Sequence, residues 1–337
     1  MDNKNKKKFN KQKNRFRGLI SVIRSRKFEK ADGVDKLTLF RRGVTEHYLE
    51  VREALEPSQY EEYINWVNHQ IKENLKSFND KDIGFTDLKG VFTKSPKTTL
   101  IKEVQWITAR VKAASSDINY FRILADKIED GFIKGDYDSC VLVLDDINKK
   151  NGFSLWSIQL RIALENLRGG LEAQKKYTSE VRSKFRQGLL NFISYHTSVR
   201  NEEKTTTQKF KDDIIKRIDN HKYFEDFVKT YTKYKLTSEI PLDHSSLSEI
   251  LWVSQSHSLI DVYETFIEVL QGLITTDLSH ELREVLCSAV SNLDNVIDFR
   301  LDKIRLHLDI KVGFEPLIRR DTNYLDFLID ERPDNTI

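Results

Sequence analysis

Apolar residues recur at spacings of three and four along most of this chain, and regular alternation of apolar and polar residues is not sustained anywhere in it. The first spacing places side chains on one face of an α-helix, whereas alternation would indicate a half-buried strand. One continuous stripe consists of Leu259, Val262, Tyr263, Phe266, Leu270 and Leu273. The pattern therefore predicts an all-α fold, either an irregular α-solenoid or a multi-helix bundle of antiparallel helix pairs.

The predicted helix boundaries follow from where this periodicity starts and stops. Ser58 and Ser246 are each followed three residues later by a glutamate, which is the pattern of a capping box at a helix start. Glycine, proline and polar clusters mark the ends. The predicted helices cover residues 16–28, 36–55, 58–78, 99–114, 118–133, 136–150, 154–168, 171–197, 207–219, 221–236, 246–253, 258–274, 279–292, 294–309 and 321–330.

Two stretches without helical periodicity divide the chain. Residues 79–98 contain two glycines and a proline, and residues 200–207 are polar throughout. A chain of 337 residues is longer than one compact core usually contains, so several packed units are expected. These units are a basic arm with a short amphipathic helix over 1–30, an N-terminal helical segment with a long connection over 31–98, a helical-repeat segment over 99–200 and a C-terminal helical segment over 201–337.

Two similar glycine-containing segments begin 34 residues apart, at Gly135 and at Gly169. Each follows one amphipathic helix and opens another. In an antiparallel helix pair, glycine supplies a left-handed turn, and a small residue soon after the turn lets the two helices approach closely. A period of this length is typical of helical repeats.

The first of these units resembles a tetratricopeptide repeat. The hinge Gly135-Asp136-Tyr137 matches the family's Gly-Asp-Tyr, and Cys140 takes the place of its small alanine. The family's later core positions and its final proline fall on Leu144, Ile147 and Gly152. The departures are Leu124, Lys127 and Ile128 in place of Trp, Leu and Gly, and Gln174 in place of the second unit's alanine, unless the register shifts to Ala173.

The resemblance covers about residues 118–200, and it implies a concave surface that binds a partner protein. An ordinary helical hairpin with a glycine turn explains the same residues without any repeat. On either interpretation Gly135, Tyr137 and Cys140 are the structural residues of the hinge.

Charge is distributed unevenly along the chain. Residues 1–30 hold twelve lysines and arginines and two acidic residues, so this segment carries a formal charge of +10 and the remainder carries −7 of the net +3. Residues 1–14 are mostly Lys, Asn and Gln, which predicts a disordered arm. The candidate residues for binding nucleic acid or another anion are Lys6, Lys7, Lys8, Lys11, Lys13, Arg15 and Arg17.

These basic residues are interleaved with Phe9 and Phe16, as in segments that bind phosphates and stack bases. A solubilising tail, or contact with an acidic protein or an anionic membrane surface, would also account for the charge. Nucleic acid is therefore one expected partner of the arm, beside these alternatives.

Two cysteines, Cys140 and Cys287, lie in apolar helical patterns and form no disulfide framework, which favours buried thiols and a reducing compartment. The start of the chain lacks a secretory apolar core, and no apolar run reaches the length of a membrane span. We therefore expect a cytoplasmic protein. Its Lys- and Asn-rich composition with a single Met is typical of AT-rich bacterial or phage genomes.

The sequence offers little that indicates catalysis. It contains no Gly-rich phosphate loop, the eight histidines lack the spacing of a helical metal pair, and Glu284 stands where a zinc-protease helix beginning at His280 would need its second histidine. We expect no cofactor and no metal. Two arginine–histidine pairs, Arg42 with His47 and Arg300 with His307, approximate the spacing found in small helical ribonucleases of prokaryotic defence and toxin systems.

The function predicted first is a non-enzymatic helical-repeat scaffold or adaptor that binds a partner protein. The alternatives are a nucleic-acid-associated protein that uses its basic N-terminal arm and, third, a helical ribonuclease with an Arg/His pair. The oligomeric state does not follow from the sequence.

Overall fold

A computed structural model describes residues 3–24, 36–74, 98–184, 188–256 and 258–310. Within these ranges the chain forms α-helices and one 3₁₀ turn at Pro57–Gln59, without any β-strand, so the all-α prediction is confirmed. The helices are α1 (Asn3–Arg24), α2 (Lys36–Ala54), α3 (Tyr60–Asn74), α4 (Leu100–Ala113), α5 (Ser115–Lys134), α6 (Tyr137–Asn151), α7 (Leu155–Lys184), α8 (Leu189–Asn201), α9 (Thr207–Asp219), α10 (Asp226–Thr237), α11 (His244–Ser254), α12 (Leu259–Leu273), α13 (His280–Ser291) and α14 (Phe299–His307). The predicted helix at 321–330 and most of the predicted connection at 79–98 lie outside the described residues.

The first helix departs from the prediction of a disordered arm, because residues 3–14 belong to α1. Phe9, Gln12, Phe16 and Ile20 share one face of this helix and are buried. The ring of Phe16 lies edge-on to Trp66 on α3, with centroids 5.8 Å apart. The prediction of disorder rested on the polar composition and did not weigh Phe9 and Phe16, which lie seven residues apart on one helix face. Burial of their rings offsets the conformational entropy that residues 3–14 lose when they form a helix.

Several helix starts also differ from the prediction. The helix expected to open with a capping box at Ser246 begins at His244, and its cap is Asp243, which accepts a hydrogen bond from the Ser246 N–H at 2.8 Å. Ser58 lies within the 3₁₀ turn, where the side chain of Gln59 accepts from the Glu56 N–H instead. Both predicted capping boxes were therefore wrong, because in each case the helical turn begins before the serine and the N-cap is an earlier acidic residue, Glu56 or Asp243.

The predicted helix over 171–197 is interrupted. α7 ends at Lys184, and α8 starts after Gly188, which has a φ of 109°. The predicted division between 154–168 and 171–197 is a kink inside α7 at Gly170, where φ is 73°. Glycine at these two positions allows positive φ values that other residues rarely adopt.

Helices α4 and α12 organise the core. α4 packs against α3, α11, α12 and α13, and α12 packs in addition against α5, α7, α11 and α14. In a solenoid each repeat contacts only its neighbours in sequence, so contacts between helices this far apart are those of a multi-helix bundle. The fully buried side chains of these two helices include Trp106, Ile107, Phe266 and Leu270.

One buried carboxylate connects the centre of the chain to its C-terminal part. Asp261 on α12 accepts hydrogen bonds from the backbone N–H groups of Leu155 and Trp156, both at 2.9 Å. Its side chain is fully buried. Asp261 therefore caps the start of α7 from a different helix and satisfies N–H groups that have no partner within α7.

A buried cluster of charges joins α5, α12 and α14. Arg300 donates to the two carboxylate oxygens of Glu264 at 2.8 and 2.7 Å and to Asp298 at 2.7 Å. Asp298 also accepts from the Tyr263 hydroxyl at 2.7 Å and lies 3.2 Å from Nε of Arg122. Burial raises the pKa of Asp298, but the hydrogen bonds from Arg300 and Tyr263 and the charges of Arg300 and Arg122 hold it below its usual range. Arg122 also pairs with Asp126 at 2.7 Å, so each buried guanidinium has carboxylate partners, which is a condition for burying charges stably.

Candidate functional site

The predicted hinge is a tight turn between two antiparallel helices. Gly135 ends α5 in the left-handed region, with φ 75° and ψ 12°. Asp136 then caps α6 by accepting a hydrogen bond from the Ser139 N–H at 3.2 Å. Tyr137 covers the turn and lies edge-on to Phe132, with ring centroids 5.6 Å apart. Gly135 and Tyr137 thus both lie at the turn between α5 and α6.

Cys140 is buried between α5 and α6, as predicted for the small residue of the hinge. Its Sγ lies 3.4 Å from the carbonyl oxygen of Ile128. Burial, with a contribution from Asp136, raises the pKa of this thiol, so the group stays protonated at neutral pH. The sequence pattern did not single out Gly131, although a β-carbon at that position would lie 2.8 Å from the same sulfur.

The second unit departs from the first. Gln174 is fully buried and donates from Nε2 to the carbonyl oxygen and the hydroxyl of Ser198, at 3.0 and 2.9 Å. At the position where the first unit has the small Cys140, the second unit therefore has Gln174, whose side chain forms hydrogen bonds to α8. The two segments share a glycine with positive φ, and the packing around them differs.

α1 presents a row of lysines to solvent. Lys4, Lys7, Lys8 and Lys11 are exposed at spacings that place them on one helix face, and Lys6 is exposed on another face of the same helix. Among the residues that the structure describes, none of these five lysines forms an ion pair with a carboxylate. At about 1.5 Å of rise per residue the row from Lys4 to Lys11 is about 10 Å long. We refer to Lys4, Lys7, Lys8 and Lys11 as the lysine face.

The other three predicted basic residues are held by α2 and α3. Their contacts are Lys13 with Glu62 at 3.9 Å, Arg15 with Glu50 at 2.5 Å, and Arg17 over the ring of Trp66 at 5.5 Å. Of the seven candidate residues, Lys6, Lys7, Lys8 and Lys11 are therefore available to an external anion. Lys4, which was not among the candidates, joins them.

The expectation that aromatic residues of the arm stack on bases is wrong. Phe9 is 4% exposed and Phe16 is fully buried, so neither ring is accessible to a ligand. Phe9 lies edge-on to Tyr63 with centroids 5.6 Å apart. The exposed surface of α1 is therefore positively charged and carries no accessible aromatic ring.

Of the two predicted arginine–histidine pairs, the structure describes the side chains of His47, Arg300 and His307. His47 is buried and shares a hydrogen bond of 2.6 Å with the Tyr63 hydroxyl; burial, with the charge of Arg15, lowers its pKa to about 4. The side chain of its partner Arg42 lies outside the described residues. Arg300 is bonded to two carboxylates, and His307 is exposed at the end of α14.

Two further properties limit the chemistry of the described residues. They contain no group of three or more His, Cys, Asp or Glu side chains arranged to hold a metal ion. None of the helices within the described ranges combines the length and apolar content needed to cross a bilayer.

Helices α5 and α6 form a packed pair joined at a glycine, an arrangement that is compatible with a helical repeat. Comparison of the chain with models of protein families, with curated proteins and with solved structures found no match.

Proposed function

We propose that this chain is a non-enzymatic, nucleic-acid-associated helical protein whose lysine face on α1 binds the phosphate backbone. The observation that carries the proposal is the exposure of Lys4, Lys6, Lys7, Lys8 and Lys11 without a carboxylate partner among the described residues. A folded protein that keeps five like charges on one helix loses stability through their mutual repulsion. A bound polyanion removes that repulsion.

Anchoring in a membrane fits α1 less well. A helix that lies in a membrane interface inserts its apolar face among the lipids. The apolar residues Phe9, Phe16 and Ile20 are instead buried against α2 and α3. Only charge would remain for attraction to anionic lipids.

An acidic protein is also a poorer match. Protein interfaces are depleted in lysine and derive most of their affinity from buried aromatic, arginine and apolar anchors. The exposed surface from Lys4 to Lys11 contains no large apolar side chain. Nucleic acid needs no such anchor, because its phosphates attract lysines through counterion release.

The same geometry favours binding that does not depend on base sequence. Lysine ammonium groups on a single helix contact phosphates, and the rings of Phe9 and Phe16 are buried and do not stack on bases. We therefore propose a protein that recognises the charge of the backbone.

The test is a titration of a fluorescently labelled duplex of random sequence, followed by anisotropy. The test variant replaces Lys4, Lys7, Lys8 and Lys11 by Gln. A matched control replaces Lys127, Lys149, Lys175 and Lys176, which are also exposed without an ion pair in the described structure, so that the net charge changes equally. We expect the first variant to lose at least tenfold in affinity and the control to lose much less. Equal losses would indicate that net charge alone determines binding.

A second candidate function is the adaptor that binds a partner protein. Its support is a set of exposed apolar side chains on the α5–α6 hairpin, namely Ile123, Phe132, Ile133 and Leu142, of which Ile133 is 86% exposed. The test is purification from the native host of the parent chain and of an Ile133→Glu/Leu142→Glu variant. A stoichiometric partner that is lost with this variant, and kept when the lysine face is substituted, would support the adaptor function.

A further inference from the structure

A small cavity lies between α2, α4 and α11. Its lining includes Tyr48 and Arg52 from α2, Arg110 from α4, and Gln255 at the end of α11. Its volume is about 10 Å³, which is enough for one species the size of a water molecule. None of these residues belongs to the lysine face, so the cavity is independent of the function proposed above.

The cavity contains more positive than negative charge. Arg52 is 2% exposed and donates to Glu103, which is fully buried, at 2.5 Å. Glu103 is the only carboxylate within the described ranges that is bonded to either arginine of the cavity. The Glu103 carboxylate balances Arg52 and leaves the charge of Arg110 uncompensated.

Most of the hydrogen-bonding capacity of Arg110 is unused by the protein. A guanidinium group has five N–H donors. In the described structure Arg110 makes one hydrogen bond, from Nη1 to Oε1 of Gln255 at 3.4 Å, and its guanidinium lies over the ring of Tyr48 at 5.5 Å. Arg52 similarly uses Nε and Nη1, for the Tyr48 carbonyl and Glu103, and has no described acceptor at Nη2. The guanidinium groups of Arg110 and Arg52 therefore both have N–H donors available for hydrogen bonds to a species in the cavity.

The polar neighbours fix this arrangement. Gln255 donates from Nε2 to Glu103 at 2.6 Å, so its Oε1 is turned towards Arg110. Burial lowers the pKa of both Arg52 and Arg110, and the charge of Arg52 lowers that of Arg110 further. Charged groups as deeply buried as Arg52 are normally paired, and Glu103 pairs with it. Arg110 is partly buried, and its guanidinium has no carboxylate partner within the described ranges.

We propose that this cavity binds one small monovalent anion, of the size of a halide ion, between Arg110 and Arg52. The anion supplies the missing negative charge and accepts the free N–H donors. Because Arg52 belongs to α2 and Arg110 to α4, the bound anion also ties these two helices together beside α11. The cavity is too small for a phosphate group, which predicts selectivity by size.

The experiment measures the melting temperature of the full chain as chloride replaces isethionate at constant ionic strength, with phosphate as a second arm. We expect a saturable rise in melting temperature with chloride, since a ligand that binds only the folded state stabilises it by mass action. Phosphate should give no rise beyond the isethionate baseline. A rise with phosphate as large as that with chloride, or no rise with chloride, would overturn the proposal.

Two variants locate the effect. Arg110→Gln should abolish the saturable rise, and Arg110→Lys, which keeps the charge but has fewer donors, should raise the half-saturating concentration at least tenfold. If the glutamine variant does not fold, the lysine variant carries the test. Lys7→Gln/Lys11→Gln is the matched control and should keep the full rise. Loss of the rise in this control, or its persistence in both Arg110 variants, would place the anion elsewhere and contradict the assignment.

Discussion

Gly131 on α5 lies directly against Cys140 on α6, so that a β-carbon added to the glycine would sit 2.8 Å from the cysteine sulfur. Real β-carbons do not approach other atoms this closely, and the short cysteine side chain has little freedom to move away. The two helices of the hairpin are therefore held at a separation that depends on small residues on both sides.

The first prediction concerns this contact. Gly131→Ala should destabilise the protein by about 1 kcal/mol, because an overpacking cost of about 1 to 3 kcal/mol exceeds the gain of about 0.5 to 1 kcal/mol from replacing glycine in a helix. In a Cys140→Ala background the same substitution should be neutral or stabilising, since the sulfur is gone. Denaturant unfolding of the four proteins of this double-mutant cycle measures the coupling. If the changes in the free energy of unfolding were additive, residues 131 and 140 would not be in repulsive contact.

The second prediction concerns the turn itself. Gly135→Val should cost about 1 to 3 kcal/mol, because a branched residue is strained at a positive φ. No atom lies within 4 Å of a β-carbon built at this position, so the cost comes from the backbone alone. Gly135→Asn is the control and should be much milder, as asparagine tolerates the left-handed region. Thermal melts in which valine and asparagine behave alike would contradict the assigned conformation.

A related prediction separates size from polarity at the buried cysteine. Cys140→Leu should cost about 1 to 3 kcal/mol because additional methylene groups have no room between α5 and α6, whereas Cys140→Ala should be milder. Urea unfolding of both variants gives the comparison. Stabilities within experimental error of the parent for both would mean that the helices are loosely packed at this point.

The local part of this architecture was predictable from sequence. Helical periodicity identified most helices. The glycine-turn pattern located the turn between α5 and α6, which contains Gly135 and Tyr137 and is followed by the buried Cys140. These features depend on residues within two helical turns of each other. The capping boxes predicted at Ser58 and Ser246 were wrong because the turns begin at the earlier N-caps Glu56 and Asp243. The spacing of serine and glutamate alone does not show which of several polar residues is the N-cap.

The long-range part was not predictable. Asp261 caps a helix that starts 106 residues earlier, and Arg52 pairs with Glu103 across 51 residues, so no spacing rule brings them together. The basic residues of α1 were found from charge. Which of them are exposed, and which contact residues of α2 and α3 as Lys13, Arg15 and Arg17 do, depends on the positions of those two helices. The order of α1 itself was missed because its stability comes from Phe9 and Phe16 packing against those helices.

Asp261 provides a prediction about the capping of α7. Asp261→Ala should destabilise the fold by about 1 to 3 kcal/mol, because it leaves the N–H groups of Leu155 and Trp156 buried without an acceptor. Asp261→Asn should lose less, since the amide oxygen still accepts one hydrogen bond. Denaturant unfolding with both variants checks the order. A larger loss with asparagine than with alanine would mean that the cap is not what Asp261 contributes.

Stability should also depend on pH through two buried histidines. Burial lowers the pKa of His47, with a contribution from Arg15, and that of His196, with contributions from two arginines, in each case from 6.5 to about 4. Between pH 6.5 and about pH 4 these two histidines bind protons in the unfolded chain and stay neutral in the folded chain. Their contribution to the free energy of unfolding is therefore fully present above pH 6.5 and falls as the pH approaches 4. The slope is about 1.4 kcal/mol per pH unit for each histidine.

Unfolding by denaturant between pH 4.5 and 7 measures this slope. His47→Gln should flatten it by the contribution of one histidine, and His280→Gln is the control because His280 is exposed. A slope that is unchanged in the His47 variant would show that His47 protonates in the folded state.

The central claim, that the lysine face binds the phosphate backbone, is tested most directly by the salt dependence of duplex binding. The logarithm of the association constant falls linearly with the logarithm of the salt concentration, with a slope of about −0.9 for each phosphate neutralised, so the four lysines of the face predict a slope of about −3 to −4. The variant lacking Lys4, Lys7, Lys8 and Lys11 should have a slope close to zero. Substitution is preferable to deleting the arm, because deletion would also remove the buried Phe9 and Phe16. Equal slopes for the parent and this variant would contradict the account.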